Sequence, residues 1–380
     1  MHQSSSAIKD DQRLYDLSTW ARAQLARAVP KFSSEVTPES GALVPVSGDA
    51  SFRRYFRLQA GEQAWICVDA PPDKEDNGAF VRMAELLDRH QILAPKVLSF
   101  DLAQGFMLLT DLGDRLLLNT LTPETVDRQY EQAMGTLLKL QQVPLSELSH
   151  LPRMDSGCLH AELDLFEAWF LPQYLQIAAD AHLVQVLQSV YDQLTKSALS
   201  QPQVLVHRDY HSRNLMWVAG ERLAQIDFQD AVVGPITYDL VSLLRDCYVV
   251  WPTAQVRTWA QRYADQVQAA GIVQPVAAED WQRWFDWVGL QRHLRVLGVF
   301  ARLNFRDGKA NYLNDIPLTM RYVYEVVQAY PQFSTFQECL EQTILPALYR
   351  VNPQAQRIVE TADLFGVAAS YRVHGLEGEG

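Results

Sequence analysis

The sequence predicts an α+β chain in two lobes: a small β-rich N-terminal lobe carrying one main helix, and a larger helical C-terminal lobe. Three observations predict it. Short strand-like runs crowd between Leu43 and Leu109, with a single helical stretch among them. Amphipathic helical text dominates after Asp111-Leu112-Gly113-Asp114, interrupted by one β-rich island from Val204 to Phe228. At 380 residues, 48% hydrophobic and 21% charged, the chain has ordinary globular composition and more length than one core usually holds. The expected division is residues 1–113 and 114–380.

The first element is a helix from Asp11 to Val29, because Leu14, Leu17, Trp20, Ala21 and Leu25 recur at helical spacing and Pro30 closes it. Leu43-Val44-Pro45-Val46 and Tyr55-Phe56-Arg57-Leu58 read as strands flanking a turn at Ser47-Gly48-Asp49-Ala50-Ser51. Ala64-Trp65-Ile66-Cys67-Val68 reads as a third strand, stopped by Pro71-Pro72. Phe80, Met83, Ala84 and Leu87 predict a helix from Phe80 to His90, and two strands follow at Val97–Phe100 and Phe106–Leu109. Beyond the boundary the clearest helical runs are Val126–Gln142, Glu162–Tyr174 and Leu183–Leu199, and helical text resumes at Tyr238. Trp169, Trp251, Trp281, Trp284 and Trp287 are expected in a helical core.

Composition narrows the function classes. Lys and Arg number 33 against 45 Asp and Glu, a formal net charge of −12. That field repels phosphate backbones and anionic bilayers, so neither nucleic acid nor membrane is the expected partner; a few clustered cations can still hold a small anion. The four cysteines, Cys67, Cys158, Cys247 and Cys339, are far apart, which excludes zinc spacings and a disulfide scaffold. Met1-His2-Gln3-Ser4-Ser5-Ser6 lacks the apolar core of a secretory signal, and no apolar run reaches the ~18–20 residues of a membrane span. A cytoplasmic protein acting on a small molecule is expected.

The island carries the chemistry. It reads Val206-His207-Arg208-Asp209-Tyr210-His211-Ser212-Arg213-Asn214-Leu215, then a turn, then Gln225-Ile226-Asp227-Phe228-Gln229. A buried strand delivers His-Arg-Asp to a loop, and a hairpin returns Asp227. The side chains of Asp209, Asn214 and Asp227 are therefore expected to converge at one end of a short sheet. Phosphoryl transfer needs this set: one carboxylate to orient the attacking hydroxyl and take its proton, and an amide oxygen and a second carboxylate to hold magnesium at the nucleotide phosphates. H-R-D-x-x-x-x-N followed by D-F matches a kinase catalytic loop and its metal-binding Asp. A metal hydrolase on His207, Asp209 and His211 would need a distant ligand or a Glu base that the pattern lacks; His207 is expected to be a buried structural histidine.

At these residues the chain resembles the aminoglycoside phosphotransferase and choline-kinase superfamily, whose fold is similar to that of protein kinases. The resemblance implies that Asp209 is the catalytic base and that Asn214 and Asp227 are magnesium ligands. Gln229 replaces the glycine of the protein-kinase Asp-Phe-Gly, which points to the small-molecule branch. Four further segments are similar to bacterial anomeric kinases of N-acetylmuramate and N-acetylglucosamine in cell-wall recycling. They are Val68–Pro72, Leu109–Asp114, Gly234–Leu240 and Leu290–Arg302. This resemblance runs from about Leu43 to Tyr330. It implies ATP and Mg2+ as cofactors and an amino sugar as acceptor, with residues 1–113 binding nucleotide and 114–380 carrying catalysis and the sugar. A choline- or aminoglycoside-type kinase and a non-catalytic nucleotide-binding scaffold are the alternatives.

Neither G-x-G-x-x-G nor a Walker-type loop is present. The candidate phosphate loop offers backbone N–H groups at Ser47, Gly48 and Ser51 beside Arg53 and Arg54, though the same turn suits a plain hairpin. The third strand ends Cys67-Val68-Asp69, without the lysine that kinases place over the phosphates. Arg53, Arg54 or Lys74 is expected to supply that charge, with Glu85 as partner. Thr110 and Leu112 are expected to present backbone groups to adenine. For the acceptor, Arg292, His293, Arg295 and Arg302, with Arg306, crowd one helical region; a guanidinium fork suits the lactyl carboxylate of N-acetylmuramate, and a solvated basic face is the alternative. Asp239 is expected to cap the helix that starts near it.

Overall fold

A computed structural model describes residues 4–28, 42–46 and 52–361. The chain packs as two compact units: residues 1–116 with 215–230, and residues 117–214 with 231–380.

The first unit is built on a five-stranded sheet of order β1-β2-β3-β5-β4, with every neighbouring pair antiparallel. Its strands are β1 (Val44–Val46), β2 (Arg54–Ala60), β3 (Gln63–Asp69), β4 (Val97–Asp101) and β5 (Phe106–Thr110). One face buries Phe56, Leu58, Trp65, Cys67, Phe106 and Leu108 against Leu17, Ala21 and Leu25 of α1 (Ser4–Ala28). Residues of the opposite parity, Val68, Met107 and Leu109, are also buried, so both faces of the sheet are covered. α2 (Asn77–Arg89) turns Phe80, Met83, Ala84 and Leu87 inward, and Asp76 caps it by accepting from the Ala79 N–H at 2.9 Å. The β4–β5 turn is fixed at Gly105, which has φ +74° and would bring a Cβ within 2.0 Å of the Ala70 carbonyl oxygen. Only glycine fits there.

The second unit is helical. Its elements include α3 (Val126–Gln141), α4 (Ser156–Leu165) and α5 (Ala181–Ser200). They continue with β6 (Gln203–Val206), and β7 (Leu215–Val218) and β8 (Arg222–Gln225) then form the hairpin that packs in the first unit. β9 (Val232–Pro235), α6 (Tyr238–Leu244), α7 (Thr253–Ala269), α8 (Ala278–Asp307) and α9 (Ile316–Ala329) complete the main body. α8 is the axis: Trp287, Leu290, Leu294, Leu297 and Ala301 pack with Phe166, Phe170, Leu187, Met320 and Val323 in one core. It is apolar on more than one side, as expected of a helix surrounded by others. After Tyr330, α10 (Ser334–Cys339), α11 (Leu345–Val351) and α12 (Gln354–Glu360) add Phe336, Leu348 and Val359 to the same core.

Three expectations change. The run Glu162–Tyr174 is α-helical only to Leu165 and continues as a π-helix over Phe166–Tyr174, with Pro172 inside it. The island is two separate sheets: β6 pairs antiparallel with β9, which the sequence reading missed, and β7 pairs only with β8. The division expected at 113/114 leaves Leu215–Asp230 with the helical part, whereas the hairpin packs in the first unit. There Trp217 N–H donates to the Arg115 carbonyl at 2.8 Å and Gln225 N–H to the Leu93 carbonyl at 2.9 Å. Among the described residues no helix is long and apolar enough to cross a membrane.

Candidate active site

The loop after β6 is anchored by buried carboxylates. Asp239, in the first turn of α6 and fully buried, accepts from the backbone N–H of His207 at 2.6 Å and of Arg208 at 3.0 Å. It therefore holds this loop rather than capping its own helix, as had been expected. Burial raises its carboxyl to about 7 against the opposing pull of those two donors. Arg208 adopts φ +76°, a left-handed conformation that a non-glycine residue keeps only when its surroundings impose it. Further along, Asp246 accepts from the Ser212 N–H at 2.9 Å and the Ser212 hydroxyl at 2.5 Å. His207 is 1% exposed and packs edge-on against Tyr210, with ring centroids 5.7 Å apart.

Asp209 is thereby presented with a third of its side chain exposed. Arg295 Nη1 lies 3.9 Å from its Oδ1. Burial works against its ionisation, but Arg295 first, then His211, Arg292 and Arg208, outweigh it and bring the pKa down to about 2. Asn214 is 3% exposed; its Nδ2 donates to the Asp209 carbonyl at 3.0 Å, and its own N–H to the His211 carbonyl at 2.9 Å. The amide is thus fixed through its nitrogen, and Oδ1 is the atom that could hold a cation.

In the first unit, Asp227 follows β8 with φ +64° and is half-buried. Gln229 Nε2 donates to Asp227 Oδ1 at 2.7 Å, an orienting bond that a glycine there could not make. Phe228 is buried against Phe80, centroids 4.9 Å apart, which ties this segment to α2. Among the described residues no group of three or more His, Cys, Asp or Glu side chains is placed to hold a metal. Asn214 and Asp227 offer oxygen alone. Oxygen donors of this kind suit magnesium.

The basic face of α8 is less uniform than its sequence. Arg292 is 2% exposed, its Nη1 4.0 Å from Cys247 Sγ. His293 is 1% exposed and stacks on Tyr322 at 4.9 Å, and its Nε2 donates to the Arg245 carbonyl at 3.0 Å. Burial and Arg292 bring its pKa down to about 3. It is a neutral packing residue, which corrects the expectation of a sugar contact. Arg295 lies between Asp209 and Glu162, its Nε 3.4 Å from Glu162 Oε1. Arg302, seven residues on and on the same helix face, is half-buried, and burial, Arg306 and Arg295 lower its pKa. Arg306 is paired with Asp307 through two bonds of 2.8 Å. The sequence reading named Glu162 only as the start of a helical run and gave it no role in the site.

Residues 42–284 match the model of the phosphotransferase enzyme family, abbreviated APH. The chain belongs to this family. An N-acetylmuramate/N-acetylglucosamine kinase of Pseudomonas aeruginosa is 40% identical over 334 residues, 88% of this chain and 97% of that protein. The protein of the same name from Pseudomonas putida is 39% identical over 332 residues, covering 87% and 97%. That from Neisseria meningitidis is 38% identical over 303 residues, covering 78% and 89%. Among solved structures, a Plasmodium vivax ethanolamine kinase superposes with TM-score 0.55 at 12% identity, over 80% of this chain and 87% of that one. ADP-bound aminoglycoside phosphotransferase APH(2'')-Ib gives TM-score 0.50 at 15% identity, over 76% and 95%. These structures establish the kinase-like fold.

On the nucleotide side of this phosphotransferase the structure redistributes the expected charges. Ser47, Gly48 and Ser51 lie outside the described residues. At the end of β3, where kinases carry a lysine, Asp69 is fully buried and receives two arginines. Arg54 binds it through Nε at 3.1 Å and Nη2 at 2.5 Å, and Arg13 through Nε at 2.9 Å. Arg53 is 5% exposed and pairs with Glu75 at 3.2 Å. Lys74 is exposed, 3.6 Å from Asp73. Glu85 faces solvent on α2 and partners none of these cations, so the expected pair with Glu85 is replaced by Asp69, Glu75 and Asp73. Thr110 donates its N–H to the Lys96 carbonyl at 3.0 Å, so that group is used within the sheet and not on adenine. Leu112 follows, partly exposed, in a linker held by Arg57, whose Nε lies 2.5 Å from Asp111 Oδ2.

Proposed function

We propose that this phosphotransferase moves the γ-phosphoryl group of ATP to the anomeric hydroxyl of N-acetylmuramate or N-acetylglucosamine, in the cytoplasm, as a step in cell-wall sugar recycling. The observation that carries the reading is the loop in which Asp209 is held ionised while Asn214 is locked to its carbonyl. The relatives' shared name supplies the acceptor, and they align over most of this chain.

Asp209 orients the sugar hydroxyl and takes its proton. A carboxylate with a pKa near 2 is a weak base, and two features make it sufficient. An anomeric hydroxyl is more acidic than an ordinary alcohol, and a loose phosphoryl-transfer transition state needs little prior deprotonation of the nucleophile. Chain topology supports Asn214 and Asp227 acting together. Leu215 pairs with Gln225, so the chain passes from Asn214 into the hairpin and leaves it towards Asp227 at the same end. Magnesium held there would neutralise charge on the β- and γ-phosphates. Arg54, oriented by Asp69, and Lys74 provide cations for the nucleotide, and Arg302 faces the acceptor's carboxylate.

The test is ADP release from MgATP with each sugar, with the phosphate located on the product by 31P–13C coupling. Turnover with phosphate on C1, reduced roughly 10²- to 10⁴-fold in Asp209→Asn, is expected. Absence of turnover with both sugars overturns the proposal, and turnover of choline or an aminoglycoside in their place moves the chain to another branch of the family.

A further inference from the structure

Glu162 is a buried acid with three partners, two of them beside the base. It lies on α4 and is 6% exposed. Its Oε2 accepts from Gln291 Nε2 at 2.9 Å. Its Oε1 accepts from Arg208 Nη2 and lies 3.4 Å from Arg295 Nε. Arg208 directly precedes Asp209, in the left-handed conformation already described. Arg295 turns its other edge to Asp209, Nη1 to Oδ1 at 3.9 Å. That separation is an ion-pair distance and too long for a hydrogen bond. The cation is near enough to favour the charged carboxylate and leaves its oxygens free to accept a substrate hydroxyl.

We infer that Glu162 is a positioning residue that restrains Arg295 at this distance, so that the Asp209 oxygens stay open to the acceptor hydroxyl. Without Glu162, Arg208 and Arg295 would lose the carboxylate they share, and Asp209 lies within 3.9 Å of Arg295. Arg295 would then close onto it as a two-pronged ion pair, the geometry that guanidinium and carboxylate favour. The oxygens meant for the acceptor hydroxyl would be taken, and Arg208 would lose the side-chain anchor that helps hold its backbone.

The inference rests on Asp209 being the base, and wild-type turnover with the better sugar is measured first: its absence removes that reading and leaves this one without a reaction. Given turnover, Glu162→Gln, Arg295→Gln and the double variant are compared in full-length protein, with kcat, both KM values, the pH profile and the melting temperature. Glu162→Gln is expected to lower kcat by roughly 10- to 100-fold, the scale of an ångström-level misplacement, with KM for MgATP unchanged. Adding Arg295→Gln is expected to recover part of that kcat, because the occupying cation is gone. A purely structural role predicts a further loss, and a double variant that melts cooperatively but is no faster than Glu162→Gln overturns the inference. If Glu162→Gln does not fold, Glu162→Asp is compared in its place, and the same loss of kcat with partial recovery on adding Arg295→Gln is expected; no recovery overturns the inference.

Discussion

His293 shows how far burial can move a residue from what its type suggests. Its pKa falls from the ordinary ~6.5 to about 3 through burial and the adjacent Arg292. Between those values the unfolded chain holds a proton that the folded one lacks. His293 therefore makes stability fall as pH drops below ~6.5, by at most about 1.4 kcal/mol per pH unit. Asp239 and Asp315, both raised by burial to about 7, act in the opposite sense over much of the same range, so the net slope is not the test. The melting-temperature difference between wild type and His293→Gln is expected to shrink as pH is lowered from 7 to 5; a constant difference would mean that His293 does not resist protonation. The residues proposed for catalysis and metal binding, Asp209, Asn214 and Asp227, were legible as candidates from spacing within one island. Asp246 and Glu162 were not, because each meets its partner far along the chain, 34 residues from Ser212 and 129 from Gln291. Asp239 lay between these cases: its acceptor role was legible, and the donors it serves were not.

At the scale of elements, the strands of the first unit and the long helices of the second carry periodic apolar patterns, and their positions follow from sequence within a few residues. The π-helix after Leu165 and the strand β9 do not, since both depend on what packs against them. Gly298 marks where that packing is tightest. A Cβ there would lie 2.4 Å from the Leu165 carbonyl carbon and 2.5 Å from its oxygen. These are backbone atoms at the junction where α4 becomes π-helical, and they cannot rotate away as a side chain would. Gly298→Ala must push α8 from α4, one turn from the Glu162–Arg295 contact. A loss of about 1–3 kcal/mol in a denaturant melt is expected, outweighing the gain in helix propensity of about 1 kcal/mol from replacing glycine. Turnover is expected to fall in proportion to the disturbed ion pair. A stabilised variant would mean that the two helices are free to part.

Over the whole molecule the charge is −12, so the anionic ligands of the proposed reaction need local cations set into a repelling field. These cations fall in different units. Arg54, seated on the buried Asp69, belongs to the first; Arg302, on the face of α8 shared with Arg295, belongs to the second. The proposed reaction uses two anionic ligands, MgATP and a carboxylate-bearing sugar, and this distribution predicts that their binding can be disabled separately. Arg54→Met is expected to raise KM for MgATP by roughly 10- to 100-fold, the worth of a charge-assisted hydrogen bond, and to leave KM for either sugar nearly unchanged. Arg302→Gln is expected to do the reverse and to discriminate between acceptors. Only N-acetylmuramate carries a lactyl carboxylate, so its kcat/KM falls by a similar factor while that of N-acetylglucosamine stays within about 3-fold of wild type. Initial-rate kinetics with both substrates varied measure all four constants. Equal losses for the two sugars would show that Arg302 supports the fold of α8 and not the acceptor, and a rise in both KM values from either substitution would show that the two ligands are not bound by separate sets of cations.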